Sequence, residues 1–271
     1  MPFNPAITPP TVNANPSLWF LFNNNKLLLN FKDDIIAIPC VRDLSELNLN
    51  VVRHQYLGTL DETHCYSGEL ADNPVLPGGM ILRNLRGLFE LLSEELYAVA
   101  GLAAQIVTWD QNHQYCGRCG APMETKSDER VKVCPKCKLV DYPAVSPCII
   151  VAVIKGKEVL LARSPHWKPG WYSVIAGFVE PGETLEECVK REVREEVNIE
   201  VEKIRYFGNQ PWPYPHTLMI AFIADYASGE ISIDQNEIED AGWYAKEKLP
   251  NLPSRAGIAR KLVDWYLENR S

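Results

Sequence analysis

The apolar positions fall into blocks whose spacing changes along the chain. Residues 18–22 (LWFLF) and 26–31 (KLLLNF) flank Asn23, Asn24 and Asn25, which predicts a strand, a turn and a strand. Between Leu85 and Asp110, Leu, Ala and Val recur at helical spacing, so a helix is predicted there. After Pro147 the period shortens again: CIIVAVI, a turn containing Gly156, and EVLLARS predict a hairpin that opens a new domain. Further strands are predicted at 171–177 (WYSVIAG), 217–227 (TLMIAFIADYA) and 241–245 (AGWYA), with helices near 184–197 and 256–269. The fold class this implies is α+β in both halves, with strands and helices interleaved in the second.

Length supports more than one unit, since 271 residues exceeds the usual single domain. We divide the chain into an α+β N-terminal domain at 1–112, a small cysteine-bearing insert at 113–142 and a larger domain at 143–271. The N-terminal domain shows no catalytic motif and is expected to act as scaffold or dimer support. Apolar residues make up 46% and charged residues 23%, the profile of an ordinary globular protein. The net charge of -8 argues against nonspecific binding to a phosphate backbone as the main task. No apolar run approaches the roughly 20 residues that span a bilayer, and the first residues lack a signal-peptide pattern, so a cytoplasmic protein without membrane contact is expected. Neither a G-x-S-x-G elbow nor a G-x-x-x-x-G-K-[ST] loop is present, which removes the corresponding nucleophilic and P-loop readings.

Four of the eight cysteines form two C-x-x-C pairs, Cys116/Cys119 and Cys134/Cys137, separated by 14 residues. Two such knuckles bring four thiolates around one tetrahedral Zn²⁺ and leave no open position for water, so the metal is expected to be structural. Residues 116–140 hold six Lys or Arg against three Asp or Glu, an excess of +3 that neutralises the thiolate site or serves nucleic acid. His113, beside four available sulfurs, is read as an ordinary polar residue.

The most informative stretch runs from Gly177 to Val201. Thr184 followed by Glu187 is a capping box that starts a helix, and Asn198 suits its left-handed end. Glu192, Glu195 and Glu196 stand at i, i+3 and i+4, so their carboxylates share a side. At about 100° per residue, Leu185 and Val189 fall on the azimuth of Glu192 and Glu196, while Lys190, Arg194 and Glu187 point away. Carboxylates that continue an apolar stripe face the interior or a cleft and require a cation. Oxygen donors suit Mg²⁺ or Mn²⁺, which bridge protein carboxylates to substrate phosphates, so phosphoanhydride hydrolysis is expected.

Gly177, Glu183, Arg191, Glu192, Val193, Glu195, Glu196 and Ile199 resemble the Nudix box, with Asn198 where the family usually has glycine. Downstream, Gln210-Pro211-Trp212-Pro213-Tyr214-Pro215-His216-Thr217, otherwise read as an irregular proline-rich loop, resembles the SQPWPFPxS signature of the NADH pyrophosphatase branch. That branch also carries a four-cysteine ribbon ahead of its Nudix domain. Asn209, Tyr214 and Thr217 depart from the signature and keep aromatic or hydrogen-bonding character. The resemblance implies a C-terminal Nudix fold, an α-β-α sandwich with a mixed sheet, that hydrolyses the diphosphate of NADH or NAD to AMP and nicotinamide mononucleotide. In some members the same cut removes NAD caps from RNA, a substrate the basic ribbon would suit.

The resemblance also implies roles. Glu192, Glu195, Glu196 and Glu237 would hold Mg²⁺ or Mn²⁺, with Glu196 favoured as the base, and Glu183 and Arg191 would brace loop and helix. Phe178 would stack on the nicotinamide, with Glu129, Tyr142, Ala176, Gln210 to Thr217 and Ala259 lining the substrate site, in a homodimer. The competing expectations are a Nudix hydrolase for ADP-ribose or dinucleoside polyphosphates, and a noncatalytic zinc-ribbon protein that binds RNA or nucleotides. The complete set of box glutamates disfavours the second.

Overall fold

The strand at Ser146–Lys155 explains the architecture of the C-terminal half. Its run CIIVAVI is buried on both faces, as a strand covered by helices on either side must be. The computed structural model to which this strand belongs describes residues 3–11 and 15–269 and divides the chain into two compact units, Met1–Ala144 and Val145–Ser271.

In the first unit the described residues form an eight-stranded sheet and a three-stranded one. The large sheet comprises β1 (Asn4–Pro5), β2 (Ser17–Asn23), β3 (Lys26–Lys32), β4 (Ile35–Ala37), β5 (Cys40–Val41), β6 (Val51–Leu60), β7 (Thr63–Leu70) and β8 (Met80–Asn84), with α1 (Glu94–Asn112) beside it. The expected hairpin at the asparagines is present, with Phe22 opposite Leu27 and Asn24 at φ 52. The expected helix at 85–110 is shorter at its start. Asn84 caps a separate 3-10 turn over Leu85–Leu88, and the α-helix begins only after Ser93, whose hydroxyl accepts from the Leu96 N–H. β9 (Glu124–Thr125), β10 (Lys132–Val133) and β11 (Val140–Asp141) make up the small sheet around the cysteines.

The second unit holds β12 (Ser146–Lys155), β13 (Glu158–Arg163), β14 (Ile175–Phe178), α2 (Leu185–Val197), β15 (Glu200–Trp212), β16 (Thr217–Ser228), β17 (Asp240–Ala245) and α3 (Ile258–Asn269). The strand order is β15-β16-β12-β13-β17, with β14 also paired to β12. The sheet is mixed, because β12 runs parallel to β16 while its other pairings are antiparallel. Strand alternation sends Ile149, Val151 and Val153 to the face covered by α2, with Cys188, Val189, Val193 and Val197. Ile150, Ala152 and Ile154 go to the face covered by α3, with Ile258, Leu262, Val263 and Tyr266. The unit is thus an α-β-α sandwich. Among the described residues no helix is long and apolar enough to cross a membrane.

Candidate active site and zinc site

β14 reaches both faces of this sandwich within three residues. Ala176 pairs with Ile150 and packs against the α3-side core, while Gly177 pairs with Ile149 and turns to the α2 side. There, a Cβ built on Gly177 would lie 1.8 Å from Cδ of Glu192, so only glycine leaves room for that carboxylate. Phe178, next in the strand, is 55% exposed. It heads a cross-strand row through Cys148 and Met219 to Gln210. Cys148 and Met219 escaped the sequence reading; the signal available for them was the two-residue period of β12 and β16.

α2 begins at the expected capping box, Thr184 and Glu187, and ends at Asn198 with φ 59 and ψ 34. Cys188, Val189 and Val193 are fully buried, and Glu192 and Glu196 continue that stripe at 8% and 7% exposure. Glu195 is exposed. Arg191 ties these groups to the loop before the helix. Its Nε and Nη2 donate to the two oxygens of Glu183 at 2.7 and 2.8 Å, and Nη2 also donates to the Phe178 carbonyl at 2.9 Å. Its Nη1 donates to Glu192 at 2.8 Å and to Glu195 at 3.0 Å. The guanidinium holds the Glu183 carboxyl down at about 2.

Glu196 differs from its neighbours. Among the described residues no side chain hydrogen-bonds or ion-pairs with it. Burial, followed by the charges of Glu192, Glu237 and Glu195, pushes its carboxyl up to about 8. Burial likewise raises Glu192, and raises the Cys148 thiol to about 12 with help from both glutamates. Glu237 is brought to this end of α2 by a loop in which the Asp234 N–H donates to the Glu196 carbonyl and the Glu237 N–H to the Asp234 carbonyl, each at 3.1 Å. A buried, unpartnered carboxylate among three others is the donor set of a hard divalent cation, so the residues fit such an ion. Arg191 holds one oxygen each of Glu192 and Glu195.

The proline-rich segment departs from the expected irregular loop. Gln210, Pro211 and Trp212 are the last residues of β15 and Thr217 the first of β16, with Pro211 opposite Leu218 and Trp212 opposite Thr217. Only 213–216 form the connection. The Gln210 amide clamps the start of α3, donating to the Ala256 carbonyl at 2.8 Å and accepting from the Ile258 N–H at 2.7 Å. The Trp212 indole lies over Gly257 and meets Tyr214 edge-on, 5.1 Å between centroids. His216 contacts Ser146 through its ring at 3.2 Å. Ala259 packs on the α3-side core. Of the remaining expected substrate residues, Glu129 and Tyr142 lie in the first unit, where the phenol donates to the carboxylate at 3.2 Å.

The four cysteines converge, with all four sulfurs within 4.8 Å of one another. Tetrahedral zinc with bonds of about 2.3 Å places its sulfurs about 3.8 Å apart, so the cluster fits that ion. The two knuckles share a turn. Gly120 donates to the Cys116 carbonyl at 2.9 Å and Lys138 to that of Cys134 at 3.0 Å, both from left-handed backbone. The Cys137 N–H donates to Cys134 Sγ at 3.4 Å and, as the main cause, draws that thiol down to about 6. The basic excess of this region is partly consumed internally. Lys132 is buried on Asp110 at 2.9 Å, Arg130 donates to the Tyr56 carbonyl at 2.8 Å, and Lys126 pairs with Glu129 at 3.7 Å.

The sandwich and the glutamate helix define the Nudix class, and residues 144–266 match the NUDIX domain family. The same fold occurs in a crystal structure of a NUDIX hydrolase from Nitrosomonas europaea, with TM-score 0.50 and 22% identity over 58% of this chain and 92% of that one. Residues 111–142 match the NADH pyrophosphatase zinc ribbon domain, and residues 16–109 the NADH pyrophosphatase-like rudimentary NUDIX domain. The chain is 45% identical to the NAD-capped RNA hydrolase NudC of Stutzerimonas stutzeri over 84% of its length and 82% of the relative's. It is 48% identical to the protein of the same name from Pseudomonas aeruginosa, over 74% and 72%. The chain therefore belongs to the NADH pyrophosphatase branch of the Nudix hydrolases.

Proposed function

We propose that this protein hydrolyses the diphosphate bond of NADH and NAD to nicotinamide mononucleotide and AMP, and that of NAD-capped RNA to nicotinamide mononucleotide and 5′-monophosphate RNA. The observation that carries this reading is Glu196, a buried carboxyl without a partner, set among Glu192, Glu195 and Glu237 beside a strand that ends on the exposed Phe178. The substrate class follows from the relatives, which are named for the NAD cap.

Glu192, Glu195, Glu196 and Glu237 would hold Mg²⁺ or Mn²⁺. Bound there, the ion neutralises diphosphate charge and lowers the pKa of water. Gly177 gives the Glu192 carboxylate its place, and Arg191 fixes it against Glu183 and the Phe178 carbonyl. Glu196 accepts the proton as the water oxygen bonds to phosphorus and the anhydride P–O bond breaks; no covalent enzyme intermediate is required. On the other face, Phe178, Ala176 and the clamp of Gln210 on Ala256 and Ile258 form the floor for the nicotinamide. Trp212, Tyr214, His216, Thr217 and Ala259 border it, and Pro211, Pro213 and Pro215 stiffen the hairpin. Glu129 and Tyr142, in the first unit, are assigned to the substrate by the resemblance alone.

We assign 1–112, 113–142 and 143–271 as N-terminal domain, zinc ribbon and catalytic domain of a homodimer. A reducing, cytoplasmic compartment suits thiols reserved for zinc. Rates on NADH, NAD, ADP-ribose and a dinucleoside polyphosphate test the substrate. NADH is expected to have the highest kcat/KM; a higher value for ADP-ribose or the polyphosphate would overturn the assignment while leaving the metal chemistry intact.

A further inference from the structure

The second unit carries two exposed tryptophans in one loop. Trp167 and Trp171, at 42% and 41% exposure, stand in the segment Ser164-Pro165-His166-Trp167-Lys168-Pro169-Gly170-Trp171 between β13 and β14. Among the described residues neither ring packs on another aromatic, and neither Lys168 nor His166 has an ion-pair partner. The loop is fastened to the segment before α3. The Asn251 N–H donates to the Gly170 carbonyl at 3.0 Å, and the Tyr172 N–H to the Asn251 carbonyl at 2.9 Å. Residues 164–171 and 248–257 together contain Lys168, Lys248, Arg255 and His166, all exposed, against one exposed acid at their border, Glu247, in a chain of net charge -8. The acids at the foot of the loop are already engaged, Glu239 by Arg163 at 2.5 Å and Asp240 by the Tyr172 hydroxyl.

This surface adjoins the substrate hairpin, because Gln210 holds Ala256 and Ile258 and Trp212 lies on Gly257. We infer that it binds the single-stranded RNA that continues from the adenosine of an NAD cap, with Trp167 and Trp171 stacking bases and Lys168 and Arg255 meeting phosphates. The inference rests on the capped-RNA reading proposed above. Aromatic rings in a locally basic surface are the means by which proteins hold single strands without reading sequence. Free NADH has no nucleotides beyond its adenosine to lay on this surface, so the loop separates the two substrates in a way that the catalytic residues do not.

The test compares kcat/KM on NADH and on NAD-capped RNA of about ten nucleotides with an unpaired 5′ end, for wild type and a Trp167→Ala/Trp171→Ala variant. The expected result is a loss of at least about fivefold per stacked base on capped RNA, with the NADH rate within twofold of wild type. In parallel, Lys168→Gln/Arg255→Gln is expected to flatten the salt dependence on capped RNA by roughly 0.7 per lost phosphate contact in log–log slope. Equal losses on both substrates, or none on either, would overturn the inference, and a smaller particle on gel filtration with equal losses would reassign the tryptophans to a subunit contact. A wild type that cleaves NADH but not capped RNA would overturn it and leave the NADH reading standing; a wild type that cleaves neither removes both.

Discussion

Replacing Gly177 with alanine perturbs the site by one methyl group of known position. The added Cβ would stand 1.8 Å from Cδ of Glu192 and 2.1 and 2.2 Å from its oxygens, where ordinary contact begins at 3.4 Å. The carboxyl must therefore withdraw by roughly 1.6 Å, the difference between 3.4 and 1.8 Å. In doing so it leaves the 2.8 Å bond from Arg191 Nη1. Because the obstacle is the end of a side chain, the fold can yield. An off-rotamer glutamate and one lost charged hydrogen bond cost about 2–4 kcal/mol at most, felt as a fall of several degrees in melting temperature. Activity is less tolerant, since a displacement of about 1 Å at a reacting centre costs on the order of 10²-fold. The assay is kcat/KM on NADH at saturating Mn²⁺, beside a thermal melt, with Gly208→Ala as control because nothing lies within 4 Å of its added Cβ. A Gly177→Ala enzyme within threefold of wild type would refute the reasoning, for Glu192 would then not need its observed position.

Other consequences concern the base, the brace and the ribbon. Phe178→Ala removes an exposed ring, so KM for NADH should rise by at least about fivefold, the low end of a stacking contact, with the melting temperature unchanged; an unaltered KM would exclude stacking. Glu183, held at about 2 by Arg191, is more acidic folded than at its ordinary 4.5. Its contribution to stability is full above about 4.5 and is lost as pH falls toward 2. Denaturant midpoints should therefore drop across that window in wild type and drop less in Arg191→Lys, and parallel profiles would refute the pairing. Cys134→Ala should reduce bound zinc from one per chain to none and lower the melting temperature, whereas retained zinc would mean that the four sulfurs do not form the site.

What the sequence disclosed depended on whether local rules decided the outcome. α2 was readable because its cap, its apolar stripe and its left-handed end all lie within fifteen residues, and each is a matter of local geometry. β12 was readable because a run of β-branched residues buried on both faces leaves few alternatives. The hairpin of β6 and β7 was not seen. Its turn uses Asp61 and Glu62 at positive φ where glycine or asparagine would have signalled it, and a bulge at Gly58 breaks the alternation. The strand character of Gln210 to Trp212 was hidden by prolines, which this position tolerates because β15 is the edge of its sheet. Cys148 and Met219 join Phe178 and Gln210 only through strand register, which a single sequence does not print. The same holds for Arg191, whose motif position was evident but whose simultaneous hold on Glu183, Glu192 and Glu195 required the fold.

The central claim is that the buried, unpartnered Glu196 belongs to a metal-assisted centre that cuts the diphosphate of a nicotinamide dinucleotide. Product analysis after incubation of wild type and Glu196→Gln with NADH and Mg²⁺ or Mn²⁺ tests it directly. The account predicts AMP and reduced nicotinamide mononucleotide from wild type, and a rate lower by orders of magnitude in a variant that melts no earlier than wild type. Products from another bond, or a variant as fast as wild type, would contradict it.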